Sequence, residues 1–256
     1  MLSIKEIESY YPENLRAFKR SLMREYIQYK ILEIIFGSNQ AGKLSFLGGT
    51  AIRILHGNNR FSEDLDFDNF GLKEREFENL AAEIRKKLKM EGYNIEIKNV
   101  IRNAYHCYIR IPGLLFESGL SGHKEEKILI QIDTEPQHFD YLPENLIVNK
   151  FDVFCRTRVT PPDILLSQKI FAIFNRKRKM GRDFYDTLFL FGKTKPNFDF
   201  LRLKIGMQDM AELKKHLLSL CKELDFKALA RDVKPFLFSA IDAKKVLAFP
   251  DYINQL

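Results

Sequence analysis

The sequence predicts an α+β chain: a lobe of mixed sheet and helices over residues 1–150, followed by a mainly helical lobe over residues 151–256. Three observations carry this. Segments with period-2 alternation or short apolar runs (KLSFL, SEDLDFDNF, YNIEIKNV, NAYHCYIRI, KILIQIDTE) are concentrated before Pro143. Beyond Pro161-Pro162 the apolar residues recur with the 3.6-residue period of helices. Charge divides in the same way: residues 1–140 hold 20 Lys and Arg against 21 Asp and Glu, and residues 141–256 hold 21 against 13, so the net charge of +7 comes from the second part.

Taken in order, residues 13–36 place Leu15, Phe18, Leu22, Tyr26, Tyr29 and Leu32 at helical spacing and predict an amphipathic helix ending near Gly37. KLSFL reads as a short buried strand, and GGTAIRILHG as a turn running into a helix. In SEDLDFDNF, Leu65 and Phe67 take one face and Asp64, Asp66 and Asp68 the other, the pattern of a half-buried strand. Residues 73–91 form a helix stopped at Gly92, and three strands follow. VFCRTRVT is one more strand. Pro161-Pro162 then opens the helix PPDILLSQKIFAIFNRK, and RDFYDTLFLFG, NFDFLRLKI, DMAELKKHLLSLCKEL and FKALARDVKPFLF are helical. Phe184, Leu188 and Phe191, with Tyr185 and Phe189 alongside, read as packing residues rather than a base-stacking platform.

Composition narrows the class. At 256 residues and 45% hydrophobic content a large core can form, which excludes a disordered chain and a fibrous repeat. With no run of about 18 apolar residues, no membrane span is expected. The N-terminus lacks the apolar stretch of a secretion leader. Cys107, Cys155 and Cys221 are scattered, without a CxxC, so neither a disulfide framework nor a zinc site is expected. These features predict a reduced, cytoplasmic setting. His56, His106, His123, His138 and His216 show no ligand spacing and are read as structural.

The chemistry lies in Phe46-Leu-Gly-Gly-Thr-Ala-Ile-Arg53 and Arg60-Phe-Ser-Glu-Asp-Leu-Asp-Phe67. A strand runs into Gly48-Gly49 and a helix starts at once. Glycines let backbone approach a ligand, and free N–H groups at a helix start attract phosphate. Asp64 and Asp66, at i and i+2, share a strand face. Hard carboxylate oxygens so placed suit Mg²⁺, held by a few carboxylates together with substrate phosphates. A third carboxylate is sought in KILIQIDTE, where Asp133 shares a face with Leu129 and Gln131; Glu135 is the reserve. In the second part, Lys169, Arg176, Lys177, Arg178, Lys179 and Arg182 make a basic stretch suited to a polyanion such as a nucleotide or RNA.

GGTAIRILHGNNRFSEDLDF resembles the signature of the AbiEii/AbiGii toxin family, nucleotidyltransferases of the polymerase-beta-like superfamily found in bacterial abortive-infection and toxin–antitoxin systems. Gly48-Gly49 and Asp64-Leu-Asp66-Phe67 fit the superfamily pattern, and Arg60 and Ser62 fill the family's Arg and Ser before the acids. Residues 167–186, from Ser167-Gln-Lys169 to Arg182-Asp183-Phe-Tyr-Asp186, are similar to the family's second motif. The resemblance spans roughly residues 44–190. It implies a polymerase-beta-like lobe followed by a helical lobe, and transfer of NMP from an NTP to an acceptor hydroxyl with release of pyrophosphate.

The roles it implies fall on residues already singled out. Gly48, Gly49 and Thr50 would hold phosphate oxygens, with Arg60, Ser62, Arg176 and Arg182 as further nucleotide-binding groups. Asp64, Asp66 and Asp133 would bind Mg²⁺, and Asp133 would take the proton of the attacking hydroxyl. Lys169 would bring positive charge to the triphosphate. Asp183 is carried over as an active-site acid first, and Asp186 second. The implied partners are an NTP, an RNA acceptor with tRNA foremost, and a cognate antitoxin that in many such systems acts without stable binding. Two alternatives stay open: an acceptor that is a protein or small molecule, and a non-catalytic RNA-binding module.

Overall fold

A computed structural model describes residues 1–256, which fall into two compact units: residues 1–56 with 61–160, and residues 57–60 with 161–256. The expected boundary at 150/151 would sever a strand hairpin. Residues 151–160 belong to the first unit, and a four-residue stretch inside the presumed first lobe belongs to the second.

In the first unit, α1 (Ile4–Ser9) starts from a reciprocal cap: the Glu6 backbone N–H donates to Ser3 Oγ at 3.3 Å and Glu6 Oε2 accepts from the Ser3 N–H at 2.8 Å. The long helix α2 (Lys19–Phe36) begins six residues later than its apolar pattern suggested, because residues 13–15 form a 3₁₀ turn. It is also buried on more than one face, with Glu25, Gln28 and Lys30 inside. Packing on several sides removes water from polar positions that spacing alone assigns to solvent. Each is therefore paired: Gln28 Nε2 donates to the carbonyls of Ser62 (3.1 Å) and Glu63 (2.8 Å). Glu25 accepts from Arg53 (2.9 Å), Lys150 (3.1 Å) and the Tyr11 hydroxyl (2.7 Å). Burial pushes the Glu25 carboxyl up, but Arg53 and Lys150 outweigh it and hold it below its ordinary value.

Then come β1 (Leu44–Leu47), α3 (Gly48–His56), β2 (Leu65–Asn69), α4 (Glu74–Met90), β3 (Glu96–Ile101), β4 (Tyr105–Pro112), the single turn α5 (Leu114–Glu117), β5 (Lys127–Glu135), β6 (Glu144–Lys150) and β7 (Val153–Val159). The seven strands form one mixed sheet in the order β3-β4-β5-β2-β1-β7-β6. β2 pairs parallel with β5 and antiparallel with β1, while β1 pairs parallel with β7. Alternation follows the expected faces: Ile128, Ile130 and Ile132 are buried and Leu129 is exposed. The strand β6 has no counterpart in the expected elements. It is an edge strand with Asn145, Ile147 and Asn149 facing out, so its apolar signal is halved. Its turn carries Phe151 at φ +61°, and the Phe151 ring packs among Tyr10, Tyr26 and Tyr29 at 4.9–5.2 Å.

The second unit comprises α6 (Pro162–Asn175), α7 (Gly181–Phe191), α8 (Phe198–Ile205), α9 (Met210–Cys221), α10 (Phe226–Val233), α11 (Lys244–Leu247) and α12 (Phe249–Gln255). Pro162 sits at the first helical position, where its missing N–H costs nothing. Asn197, Asp209 and Asp225 cap α8, α9 and α10 with their side chains. Phe184 is buried against Phe249 (4.9 Å) and Phe226 (5.6 Å). Gly181 lets α7 start against α10, since a methyl group there would overlap the Leu229 carbonyl. Residues 57–60 join this unit through an Arg60–Leu237 bridge and a hydrogen bond from the Phe238 N–H to the Asn59 carbonyl (3.2 Å). No helix is long and apolar enough to cross a membrane.

Candidate active site

In the first unit the glycine turn and the acids meet. Leu47, the last residue of β1, pairs in register with Asp66 of β2, which brings the next residue, Gly48, under the Asp66 side chain. Gly48 has φ +77°, a region that glycine enters at little cost, and a methyl group there would overlap the Asp66 carboxylate. Gly48 is thus demanded twice, by its backbone and by the acid above it. Gly48→Ala is expected to destabilise the protein by about 1–3 kcal/mol and to displace Asp66. Thermal melting beside an activity assay would check both effects, and a fully active variant of unchanged stability would refute the close approach. The first N–H groups of α3 lack intrahelical acceptors by helix geometry.

Parallel pairing sets Asp66 beside Asp133. Asp133 is tightly held: His106 Nδ1 lies 2.6 Å from Oδ1, and Gln131 Nε2 donates to Oδ1 at 2.8 Å and Oδ2 at 2.9 Å. An ionised carboxylate has about four acceptor positions; three are filled, and one on Oδ2 is left. Asp64 precedes β2 and is half-buried. Asp68, on the same face, is 3% exposed and accepts from the Gln137 N–H at 2.9 Å, which gives it a structural task. The carboxylates do not close into a ready-made group of three metal-binding side chains.

One expected phosphate ligand in this unit is recast. The Thr50 side chain is buried and its hydroxyl donates to the Asp64 carbonyl at 2.5 Å. Its single proton is spent on tying α3 to the segment before β2. Ser62 is half-buried with its carbonyl taken by Gln28 at 3.1 Å.

In the second unit, five charges alternate in a chain: Arg60, Asp186, Lys169, Asp183, Arg176. Arg60 is 1% exposed and closes on Asp186 from Nε (2.6 Å) and Nη2 (2.5 Å), while Asn58 Nδ2 adds a bond to Asp186 Oδ1 at 2.8 Å. Lys169 bridges Asp186 (2.9 Å) and Asp183 (3.1 Å), and Arg176 Nε lies 3.4 Å from Asp183. Burial pushes the Asp186 carboxyl up, but Arg60 and then Lys169 hold it below its ordinary value. Burial also opposes the Arg60 charge, and Asp186 more than restores it.

This corrects the reading of Arg60 as a nucleotide-binding group. Its Nε and Nη2 donors are both committed to Asp186, and the side chain is shut from solvent. Asp183, in the first turn of α7, is buried at 1% exposure under Lys169. Lys169 is charge-paired twice, with 12% of its side chain exposed. Arg182 is half-buried, its guanidinium 5.9 Å from the Phe236 ring. Arg176 retains 45% side-chain exposure.

Sequence reasoning missed His106 and Gln131 as partners of Asp133, and Asn58 as a partner of Asp186. Gln131 was recoverable, at i−2 on the same strand face. The pairing of His106 with Asp133 depends on β4–β5 register, and residues 113–126 between those strands include a helical turn that conceals it.

Comparison with known proteins adds the following. Residues 30–246 match the family described as nucleotidyl transferase AbiEii toxin, type IV toxin–antitoxin system. The crystal structure of JHP933 from Helicobacter pylori superposes with a TM-score of 0.55 at 18% identity, over 92% of each chain. A second H. pylori crystal structure, assigned as a candidate nucleotidyltransferase, gives 0.53 at 18% identity over 92% of this chain and 95% of that one. At this identity the likeness speaks for the fold. Among curated proteins, none matches.

Proposed function

The chain belongs to the AbiEii family of nucleotidyl transferase toxins of type IV toxin–antitoxin systems, and from that premise we propose that it transfers NMP from an NTP to an RNA hydroxyl, with tRNA the first acceptor to test. The acceptor oxygen bonds to the α-phosphorus, the bond to pyrophosphate breaks, and the hydroxyl proton passes to a carboxylate. The observation that supports this best is the Asp66 carboxylate resting on Gly48 with Asp133 alongside.

Mg²⁺ fits these residues. They offer hard carboxylate oxygens, and this ion is commonly held by one or two carboxylates with waters and substrate phosphates, so the lack of a preassembled triad is no obstacle. Asp64 and Asp66 would hold it, and when bound it would neutralise charge on the phosphates; the one open position of Asp133 is needed for the proton. Asp133 is the assigned proton acceptor, through the position on Oδ2 that Gln131 leaves open. His106 and Gln131 keep its carboxylate in one orientation. Gly48 and Gly49 offer backbone to the phosphates. The basic excess of residues 141–256 favours a polyanionic acceptor. The family implies an antitoxin that counteracts this activity.

The test is to incubate the protein with Mg²⁺, total RNA and each labelled NTP in turn. Label in RNA supports the reading, label only in protein or small molecules changes the acceptor, and no label in any fraction refutes transfer. Lys169→Ala takes the shared cation from buried Asp183 and Asp186 and is expected to destabilise the protein by about 3–5 kcal/mol; a denaturant midpoint equal to the parent's would refute that bridging role.

A further inference from the structure

The second unit contains a cavity of about 290 Å³ that the transfer chemistry does not use. Its walls are the rings of Tyr185, Phe189 and Tyr252 and the Leu188 side chain. Amide and ammonium side chains in the lining are Asn58, Asn59 and Lys245, and Asn58 Nδ2 already donates to Asp186 at 2.8 Å. The Asn59 backbone carbonyl is occupied by Phe238, but its exposed side-chain amide makes no hydrogen bond within the protein. Lys245 lies 5.6 Å from the Tyr185 ring centroid and is paired with Asp242 at 3.1 Å.

The cavity does not share the face of α7 that carries Asp183. At about 100° per residue, Tyr185 and Leu188 lie about 200° and 140° around the helix from it. We propose that this cavity is a nucleobase site, which adjoins the Lys169 cluster at Asn58 but takes its ligand against the aromatic side chains on its far side. Flat aromatic walls accept any π-face by stacking. A carboxamide presents a donor and an acceptor side by side, the pattern that matches a base edge. An aliphatic ligand would make no use of the Asn59 amide, which a base edge can engage. A bare inorganic anion would meet apolar walls and a lysine already neutralised by Asp242. The base belongs either to a free nucleotide or to an RNA strand, and the two are separable by experiment.

The proposal is independent of the transfer reaction and is tested without it. The full chain is titrated calorimetrically, with no Mg²⁺, against adenosine, guanosine, cytidine, uridine and their 5′-monophosphates. At least one nucleoside is expected to bind with Kd between about 1 μM and 1 mM. Asn59→Leu and the cavity-filling Leu188→Trp should each weaken it about tenfold or more, and Asp66→Asn, in the other unit, should leave nucleoside binding unchanged. Should Leu188→Trp fail to fold, the exposed Asn59→Leu carries the test alone. Displacement of the bound nucleoside by mononucleotide but not by a short oligoribonucleotide identifies a free nucleotide as the occupant; displacement by the oligonucleotide at lower concentration identifies an RNA base. No nucleoside binding at millimolar concentration overturns the site, as does binding that Asp66→Asn abolishes and Asn59→Leu leaves intact. Loss of transfer activity with this binding preserved would count against the catalytic reading alone.

Discussion

Asp66→Ala is expected to reduce NMP transfer by on the order of 10²–10³-fold or more, the range found when one preorganised charge-stabilising group is lost. The reason is positional. Asp66 is the one acid that touches the glycine turn and adjoins Asp133 across the parallel pair. Asp68 cannot take its place, because it is buried and occupied by Gln137. Stability should fall little, since removing one of several clustered carboxylates relieves repulsion when no cation is bound. Asp66→Asn separates charge from shape: it retains the packing on Gly48 and should be nearly as inactive. Incorporation of labelled NMP, read beside a thermal melt, decides the matter. An Asp66→Asn protein as active as the parent would refute the proposed role of the carboxylate.

Arg60→Ala should act on stability instead, by about 3–5 kcal/mol, the cost of leaving one member of a buried ion pair without its partner. Asp186 is fully buried and would keep only Lys169 and Asn58. The stretch 57–60 would lose its main tie to the second unit, leaving the backbone contacts to Leu237 and Phe238. Denaturant unfolding of the purified variant measures this, and a loss below about 1 kcal/mol, the value of a surface pair, would show the pair is dispensable. The pH dependence has a definite sign. The folded-state carboxyl of Asp186 lies below its ordinary value of 3.8. Its contribution is therefore fully present above pH 3.8 and is lost as pH falls through the lower folded value. Glu25, likewise held below its ordinary value, adds loss in the same direction on acidification. In Arg60→Ala protein the Asp186 share of this acid sensitivity should shrink.

Much of the architecture is legible because it is local. The strand faces of β2 and β5, the turn at Gly48 and the helices from Pro162 to Val233 follow from spacing, caps and breakers. Signals weakened where burial departs from simple amphipathicity. The helix α2 is packed on more than one side, β6 is an edge strand with polar outward positions, and residues 240–255 form short helices with little period to read. The unit boundary shifted for a related reason: β7 pairs with β1, more than a hundred residues earlier, and that pairing is invisible to local pattern.

Taken alone, the sequence determined which acids share a strand face and where backbone must be bare of a side chain, since i, i+2 alternation and a positive φ are properties of a few adjacent residues. It also marked Lys169, Asp183 and Arg60 as unusual. What each charge does was decided only by tertiary structure. Arg60 became an interior anchor, Thr50 a tie to the Asp64 carbonyl, Lys169 a bridge between two buried carboxylates, and His106 the support of Asp133. A polar side chain takes its role from the partner that satisfies it in the absence of water, and these partners lie 14 to 126 residues away, brought close by strand register and helix packing.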